Sequence, residues 1–437
     1  MIRKSACLLA LLACTRALAV VPDAGPMIGH VTDNSARIWM QFPIAGDVTI
    51  NVYDAARGIP VGGVRVGLEG PSPFVCDVPV NGLQPNRTYR IEVKFDGEPV
   101  KLPAPEVAIR TTPSPGDEAI FTVAFGGDLA ITPLAPVGAA TRPAPAPAHK
   151  IPVFNAITNL KPRAFLFLGN TGYLPPKLDD FPAMHKPAAR FLADFHAAIR
   201  KEPDLQELFR TTPIYGIYAD RDYGPFTSKD FGPESIVAFH NYWPNPDWGT
   251  PAAPGCYCTF NYGDIDFFLL DARTFRTESK PGEDARLLGD AQIAWLEKNL
   301  KQARGSFKVL AAPVPLWGDD PAKPDPAAWS NYPAEQKAFL TWLADNRVNG
   351  ILSLVGGQPL AQLTKADPAS TGLRYPLFSL NSSARPQPQP RRCRHPRRIL
   401  RHPRLRRPGR APLHHPPHPR HHRQTPPRTN APFQQPP

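Results

Sequence analysis

Two carboxylates flank a guanidinium in the run GIYADRDYG, where Asp220, Arg221 and Asp222 follow an apolar stretch. Residues of these types support three kinds of chemistry. The carboxylates can ligate a hard cation. The planar guanidinium fork can hold a phosphate. The three together can also close a salt-bridged turn, worth about 0–1 kcal/mol when exposed. Four other runs have the same form, an apolar stretch that ends in polar or glycine-rich residues. They are FGGDLA with Asp128, LGNTGY with Asn170 and Tyr173, LDARTFR with Asp271 and Arg273, and VGGQPLAQ with Gly357 and Pro359.

The elements that would bring these runs together can be read from hydrophobic period. From residue 119 the chain alternates apolar strand candidates (AIFTVAF, RAFLFLG, TPIYGIY, IDFFLLDA, FKVLAAPV, VNGILSLVG) with segments of helical spacing such as PAARFLADFHAAIRK and DAQIAWLEKNLKQAR. Near-continuous apolar strands imply sheets covered on both faces, and such folds place ligands beyond the carboxyl ends of the strands. All five polar runs fall at such ends. Before this region, SARIWMQF and TINVYDA alternate apolar and polar residues, and GLQPNRTYRIEVKFDG reads as turn, strand and turn. The expected organisation is an all-β immunoglobulin- or fibronectin-like sandwich over 20–112, a proline-marked linker at 113–118, and an α/β domain over 119–384 of layered β-sheets flanked by helices.

The ordered runs GPMIGHVTDNSARIWMQF, PVFNAITNLKPRAFLFLGNTGYL, TPIYGIYADRDYGP, NYWPNP, YGDIDFFLLDARTFR and GILSLVGGQPLAQLTK resemble the alkaline phosphatase D (PhoD-like) family of calcineurin-like metallophosphoesterases. The resemblance covers about residues 26–380. It implies hydrolysis of phosphoric mono- or diesters at a centre of two metal ions, iron and calcium or other divalent ions. There, paired cations stabilise the attacking and leaving oxygens. Transferred position by position, the family's ligand motifs fall on Asp128, Asn170, Tyr173, Asp220 and Asp222. Several positions depart from the pattern. Asp128 stands where the family has Cys, Asn170 replaces the bridging Asp, Arg221 replaces a His, and Gly357 and Pro359 replace the last Asp and His. An arginine remains protonated and cannot ligate a metal. The resemblance therefore implies a degenerate metal centre with hydrolysis lost or much reduced. Two alternatives stand beside it: single-metal chemistry on Asp128, Tyr173, Asp220 and Asp222, or a non-catalytic pocket that holds phosphate or a phosphoester through Arg221.

Charge and cysteine use narrow the remaining choices. The 437 residues carry a formal net charge of +12, but the 14 Arg and no acidic residues of 385–437 give that segment +14. Residues 1–19 add +3, which leaves the body at −5 and removes any case for specific nucleic-acid binding by it. Arg3 and Lys4, the apolar run from Ala6 to Ala13 and Ala17-Leu18-Ala19 read as a secretory signal, so the expectation is a secreted or periplasmic protein. Lipid anchoring at Cys14 is the second reading, and no segment is long and apolar enough for a spanning helix. Cys7 and Cys14 lie in that signal and Cys393 in the tail, while Cys76, Cys256 and Cys258 suggest neither a disulfide framework nor a zinc site. The Arg/Pro/His-rich tail has the composition of a shifted reading frame. If genuine, it would be disordered and able to bind polyanions through charge.

Overall fold

In the computed structural model the described residues are 20–128, 152–172, 188–223, 232–277, 284–318, 327–357 and 361–382. The sequence expectations for the signal at 1–19 with Cys14, for Tyr173, for Pro359 and for the tail at 385–437 lie outside them.

Eight strands build the all-β domain. They are β1 (Ala24–Val31), β2 (Ser35–Phe42), β3 (Gly46–Asp54), β4 (Pro60–Leu68), β5 (Phe74–Asn81), β6 (Thr88–Phe95), β7 (Glu98–Pro99) and β8 (Ala108–Arg110). One antiparallel sheet runs β1-β2-β5 and the other β4-β3-β6-β7, with β8 also on β6. In the second sheet Ile50 faces Val64 and Val93 across its two neighbours. Strict alternation of burial along β3 and β6 gives each one face to the core and one to solvent. Strand β2 departs from it. Its last five residues, Ile38, Trp39, Met40, Gln41 and Phe42, are buried in succession. The cause is a second cover. Ile28, Ile38 and Met40 pack into the sandwich core, while Ala24, Met27 and Trp39 enter the core of the following domain.

That domain opens with β9 (Val123–Gly126), α1 (Pro152–Asn159), β10 (Ala164–Leu168), α2 (Ala188–Arg200), α3 (Gln206–Thr211) and β11 (Ile214–Ile217). Then come α4 (Asp220–Tyr223), α5 (Gly232–Tyr242), β12 (Gly249–Thr250), β13 (Ala253–Pro254), β14 (Cys258–Tyr262) and β15 (Ile265–Leu269). It closes with α6 (Asp290–Gln302), β16 (Phe307–Ala312), α7 (Pro333–Asp345), β17 (Ile351–Val355), β18 (Gln362–Ala366), α8 (Pro368–Thr371) and β19 (Leu377–Asn381). A parallel three-stranded sheet has the order β11-β10-β9, and a mixed six-stranded sheet runs β14-β15-β16-β17-β19-β18. Side chains from β10, β11, β14 and β15 share one core with α2, α3 and α5, whereas α6 and α7 cover the larger sheet with Leu296, Leu300, Phe339 and Leu343. Two details differ from the sequence reading. Strand β9 is shorter than AIFTVAF, and Phe121, before its start, packs against Tyr262 with ring centroids 4.1 Å apart. Residues 220–223 form a single helical turn rather than a loop, with Asp222 and Tyr223 donating backbone N–H to Ala219 O.

The two domains meet at a bonded seam. His30 Nδ1 lies 3.1 Å from the Tyr215 hydroxyl, which also accepts the Val31 N–H at 3.3 Å. Burial first and Arg37 second push the His30 imidazole down from 6.5 to about 4. A histidine whose folded pKa is depressed supports the fold above its unfolded value and withdraws that support as pH falls from 6.5 toward 4. Relative to His30→Gln, the wild type is expected to lose about 2 kcal/mol of stability between about pH 8 and about pH 5. Urea unfolding of the two proteins at each pH measures the difference, and a flat difference would refute the assignment.

Candidate functional site

The carboxyl ends of β9, β10, β11, β16 and β17 converge, and the convergence requires residues without side chains. A Cβ on Gly127 would lie 2.7 Å from Leu168 O and 3.1 Å from Gly357 N. A Cβ on Gly169, which has φ +86°, would lie 2.6 Å from Ala219 Cβ and 2.9 Å from Pro313 Cβ. Backbone thus approaches backbone, and the residue after each glycine is delivered to one place. Asp128 and Asn170 both have left-handed backbone, at φ +61° and +51°. Asn170 Nδ2 points at Asp128 Oδ1 from 3.5 Å, and its Oδ1 accepts the Arg221 N–H at 3.1 Å. Gly357 lies in the same cluster and brings no side-chain group. Of the positions singled out in the sequence, Asp128, Asn170, Asp220, Arg221, Asp222 and Gly357 are therefore neighbours.

Two of their three carboxylates, those of Asp222 and Asp220, are however turned to other partners. Asp222 is buried, and its side chain accepts backbone N–H from Asn170 at 2.5 Å, Gly172 at 3.1 Å and Ala219 at 3.1 Å. It ties the turn after β10 to the turn after β11. Burial pushes this carboxyl up to about 7 against the downward pull of those donors. Asp220 faces the loop after β15, where its Oδ1 meets Arg273 Nε at 2.8 Å and Arg276 Nη2, and its Oδ2 meets Arg276 Nη1 at 3.3 Å. Asp220 is thus ion-paired with Arg273 and Arg276, arginines that the sequence reading of a turn closed around Arg221 did not pair with it.

Asp271 builds the loop that carries those arginines. It is fully buried, with Oδ1 accepting the N–H of Arg273 and of Thr274 at 2.9 Å each. Its Oδ2 accepts from the Tyr218 hydroxyl at 2.7 Å, the Thr274 hydroxyl at 2.6 Å and the Cys256 N–H at 3.1 Å. Gln292 on α6 clasps the Asp271 backbone at both its N–H and its carbonyl, at 2.8 and 2.7 Å. The Arg273 guanidinium then lies 4.6 Å from the centroid of the Tyr223 ring. Sequence reasoning named Asp271 and Arg273 but missed Arg276. The available signal was the Arg-x-x-Arg spacing directly after a strand end. Among the described residues no group of three or more His, Cys, Asp and Glu could hold a metal ion.

Fold and site together define a layered two-sheet α/β protein with its candidate site at the strand ends and an all-β domain in front. A protein-family model described as PhoD-like phosphatase matches residues 149–358, and one described as DUF7800, a domain of unknown function, matches 23–114. Residues 149–358 are a PhoD-like phosphatase domain. The solved structure described as "Structure of PhoD" is 18% identical, covers 82% of this chain and 76% of its own, and superposes with a TM-score of 0.66, a likeness of fold. The FN5 domain of Drosophila Lar matches at 18% identity over 22% of this chain and 99% of its own, with a TM-score of 0.17. The fn3 domain of human collagen alpha-1(XX) chain matches at 19% identity over 24% and 98%, with a TM-score of 0.18. No curated protein matches the sequence. No helix among the described residues is long and apolar enough to cross a membrane.

Proposed function

We propose that this chain is an exported PhoD-like phosphatase relative in which metal-dependent hydrolysis of phosphoric esters is lost or much reduced. The observation that supports this reading is where two of the three carboxylates point. Asp222 is taken up by backbone N–H groups, and Asp220 is shared by Arg273 and Arg276. Asn170 offers a neutral carbonyl that already accepts a backbone N–H. A two-metal centre needs hard anionic donors directed at both ions, and this donor set does not fit one.

A second reading follows from the arginines. Arg273 and Arg276 converge on one carboxylate next to Arg221, and a phosphate oxygen pair can occupy the place of the Asp220 carboxylate in such a fork. The retained function is then binding of phosphate or a phosphomonoester, with export on the 1–19 leader.

One set of measurements tests both. The purified protein is reconstituted with iron, calcium, zinc and manganese, its metal content is measured, and chromogenic phosphomonoester and phosphodiester turnover is assayed. Substoichiometric metal and negligible turnover are expected. Stoichiometric metal with turnover that Tyr173→Phe abolishes would sink the degenerate-site reading. Phosphate binding by calorimetry should weaken about tenfold to a hundredfold in Arg276→Ala, the effect of losing a charge-assisted hydrogen bond. Unchanged binding in that variant would refute phosphate recognition by the arginine fork.

A further inference from the structure

The run NYWPNP, residues 241–246, matches nothing in the site chemistry, yet it sits where three parts of the molecule join. Strand β11 is an edge strand of its sheet. Its free side is satisfied by a side chain, since Asn245 Oδ1 accepts the Gly216 N–H at 3.1 Å and Asn245 Nδ2 donates to Gly216 O at 2.7 Å. Trp243 closes over the same glycine, so closely that a Cβ there would lie 2.2 Å from the indole. The other side of the run faces the β-sandwich. Pro244 O accepts the His30 N–H at 2.9 Å, and Asn241 O accepts Trp39 Nε1–H at 2.7 Å. Tyr242 O holds the buried Arg200 guanidinium, which lies 4.1 Å from the Trp243 ring centroid and 5.9 Å from that of Trp39. On the sandwich side the fit again depends on a missing side chain: a Cβ on Gly29 would lie 2.4 Å from Pro244 Cβ and Cγ.

We infer that residues 241–245 are a clasp through which the N-terminal domain positions the candidate site. The path is short. The sandwich grips Asn241 and Pro244, Asn245 and Trp243 grip Gly216, and Gly216 lies three residues before Ala219, whose N–H bonds Asp222. Tyr215, the residue before that glycine, is bonded directly to His30 and Val31 and stacked on Phe260 at 3.9 Å. The domain of unknown function at 23–114 is thus an integral wall of the α/β core, with Ala24, Met27 and Trp39 inside it, and acts as a positioning element for the 219–222 turn. The inference stands whether or not the site binds phosphate.

Amide hydrogen exchange on the full chain tests it. Gly29→Ala drives a methyl into Pro244 and should speed exchange about tenfold or more at 214–219 and at the Asn170 and Gly172 amides that bond Asp222. Strands β16 and β17, on the far sheet, should keep their protection. Arg65→Ala, which removes an exposed pair with Asp47 at the distant edge of the sandwich, should change none of these. Faster exchange confined to 24–42 and 241–245, with 170–172 and 219 unchanged, would overturn the inference, as would equal acceleration of β16 and β17. If Gly29→Ala does not fold, Trp39→Phe, which keeps an aromatic ring and removes the N–H bonded to Asn241 O, is read by the same two outcomes.

Discussion

Replacing Asp222 with alanine is expected to lower the unfolding free energy by about 3–5 kcal/mol at mildly acid pH, because it leaves a cluster of buried N–H groups without an acceptor. The carboxyl is buried and receives backbone donors from two separate turns, at Asn170, Gly172 and Ala219. Asp222→Asn keeps one acceptor oxygen and should cost less, about 1–2 kcal/mol. The pH dependence separates the two variants further. With its carboxyl raised to about 7, Asp222 favours the fold below its unfolded value of 3.8 and loses that contribution as pH rises through 7. The deficit of Asp222→Ala should therefore shrink between about pH 5 and about pH 8, while Asp222→Asn, which does not titrate, should remove this slope from the wild-type profile. Urea unfolding across pH measures both. A residue that served chiefly as a metal ligand would behave differently: its loss would lower metal content and leave the unfolding of the metal-free protein nearly unchanged.

The place of this residue was legible in the sequence, and its partners were not. The apolar run AFLFL in β10 is buried at every position, so the sheet and its carboxyl end follow from composition alone. Asp128, Asn170, Asp220 and Gly357 then had to lie near one another, because each follows a strand of that kind. What each side chain touches depends on turn conformations that residue type does not specify. Asn170 and Asp128 adopt positive φ, uncommon for non-glycine residues, and those turns decide which way the side chains and the neighbouring N–H groups point. The partners of Asp220 come from Arg273 and Arg276, more than fifty residues away, so no local pattern could pair them. The β-sandwich shows the same division. Alternation gave its strands, but Trp39, Met40, Gln41 and Phe42 are buried in succession because a second domain covers the outer face of β2. Consecutive large apolar residues in an antiparallel strand were the visible signal of that cover.

The loop that holds Arg273 and Arg276 depends on one carboxylate, and Asp271→Ala should show it with an effect as large as that at Asp222, about 3–5 kcal/mol. Alanine would leave the N–H groups of Arg273, Thr274 and Cys256 and the hydroxyls of Tyr218 and Thr274 around an empty place in a fully buried site. The hydroxyls can re-pair, since Tyr218 and Thr274 already bond each other, but the three N–H groups cannot. Asparagine discriminates between a scaffold role and a charge role. Its carbonyl can take the position of Oδ1 and keep Arg273 N–H and Thr274 N–H, while its amide meets hydroxyls that can accept and one N–H, that of Cys256, that cannot. The expected cost of Asp271→Asn is therefore about 1–2 kcal/mol, close to a single unsatisfied buried donor. Phosphate affinity should follow the loop rather than the charge: it should persist in Asp271→Asn and fall in Asp271→Ala to the level of Arg276→Ala, because the guanidiniums lose their seat beside Asp220. Calorimetry on the three variants, alongside urea unfolding, measures this. If asparagine abolishes binding as fully as alanine while the fold stays intact, the seating of the arginine loop by Asp271 does not account for phosphate affinity.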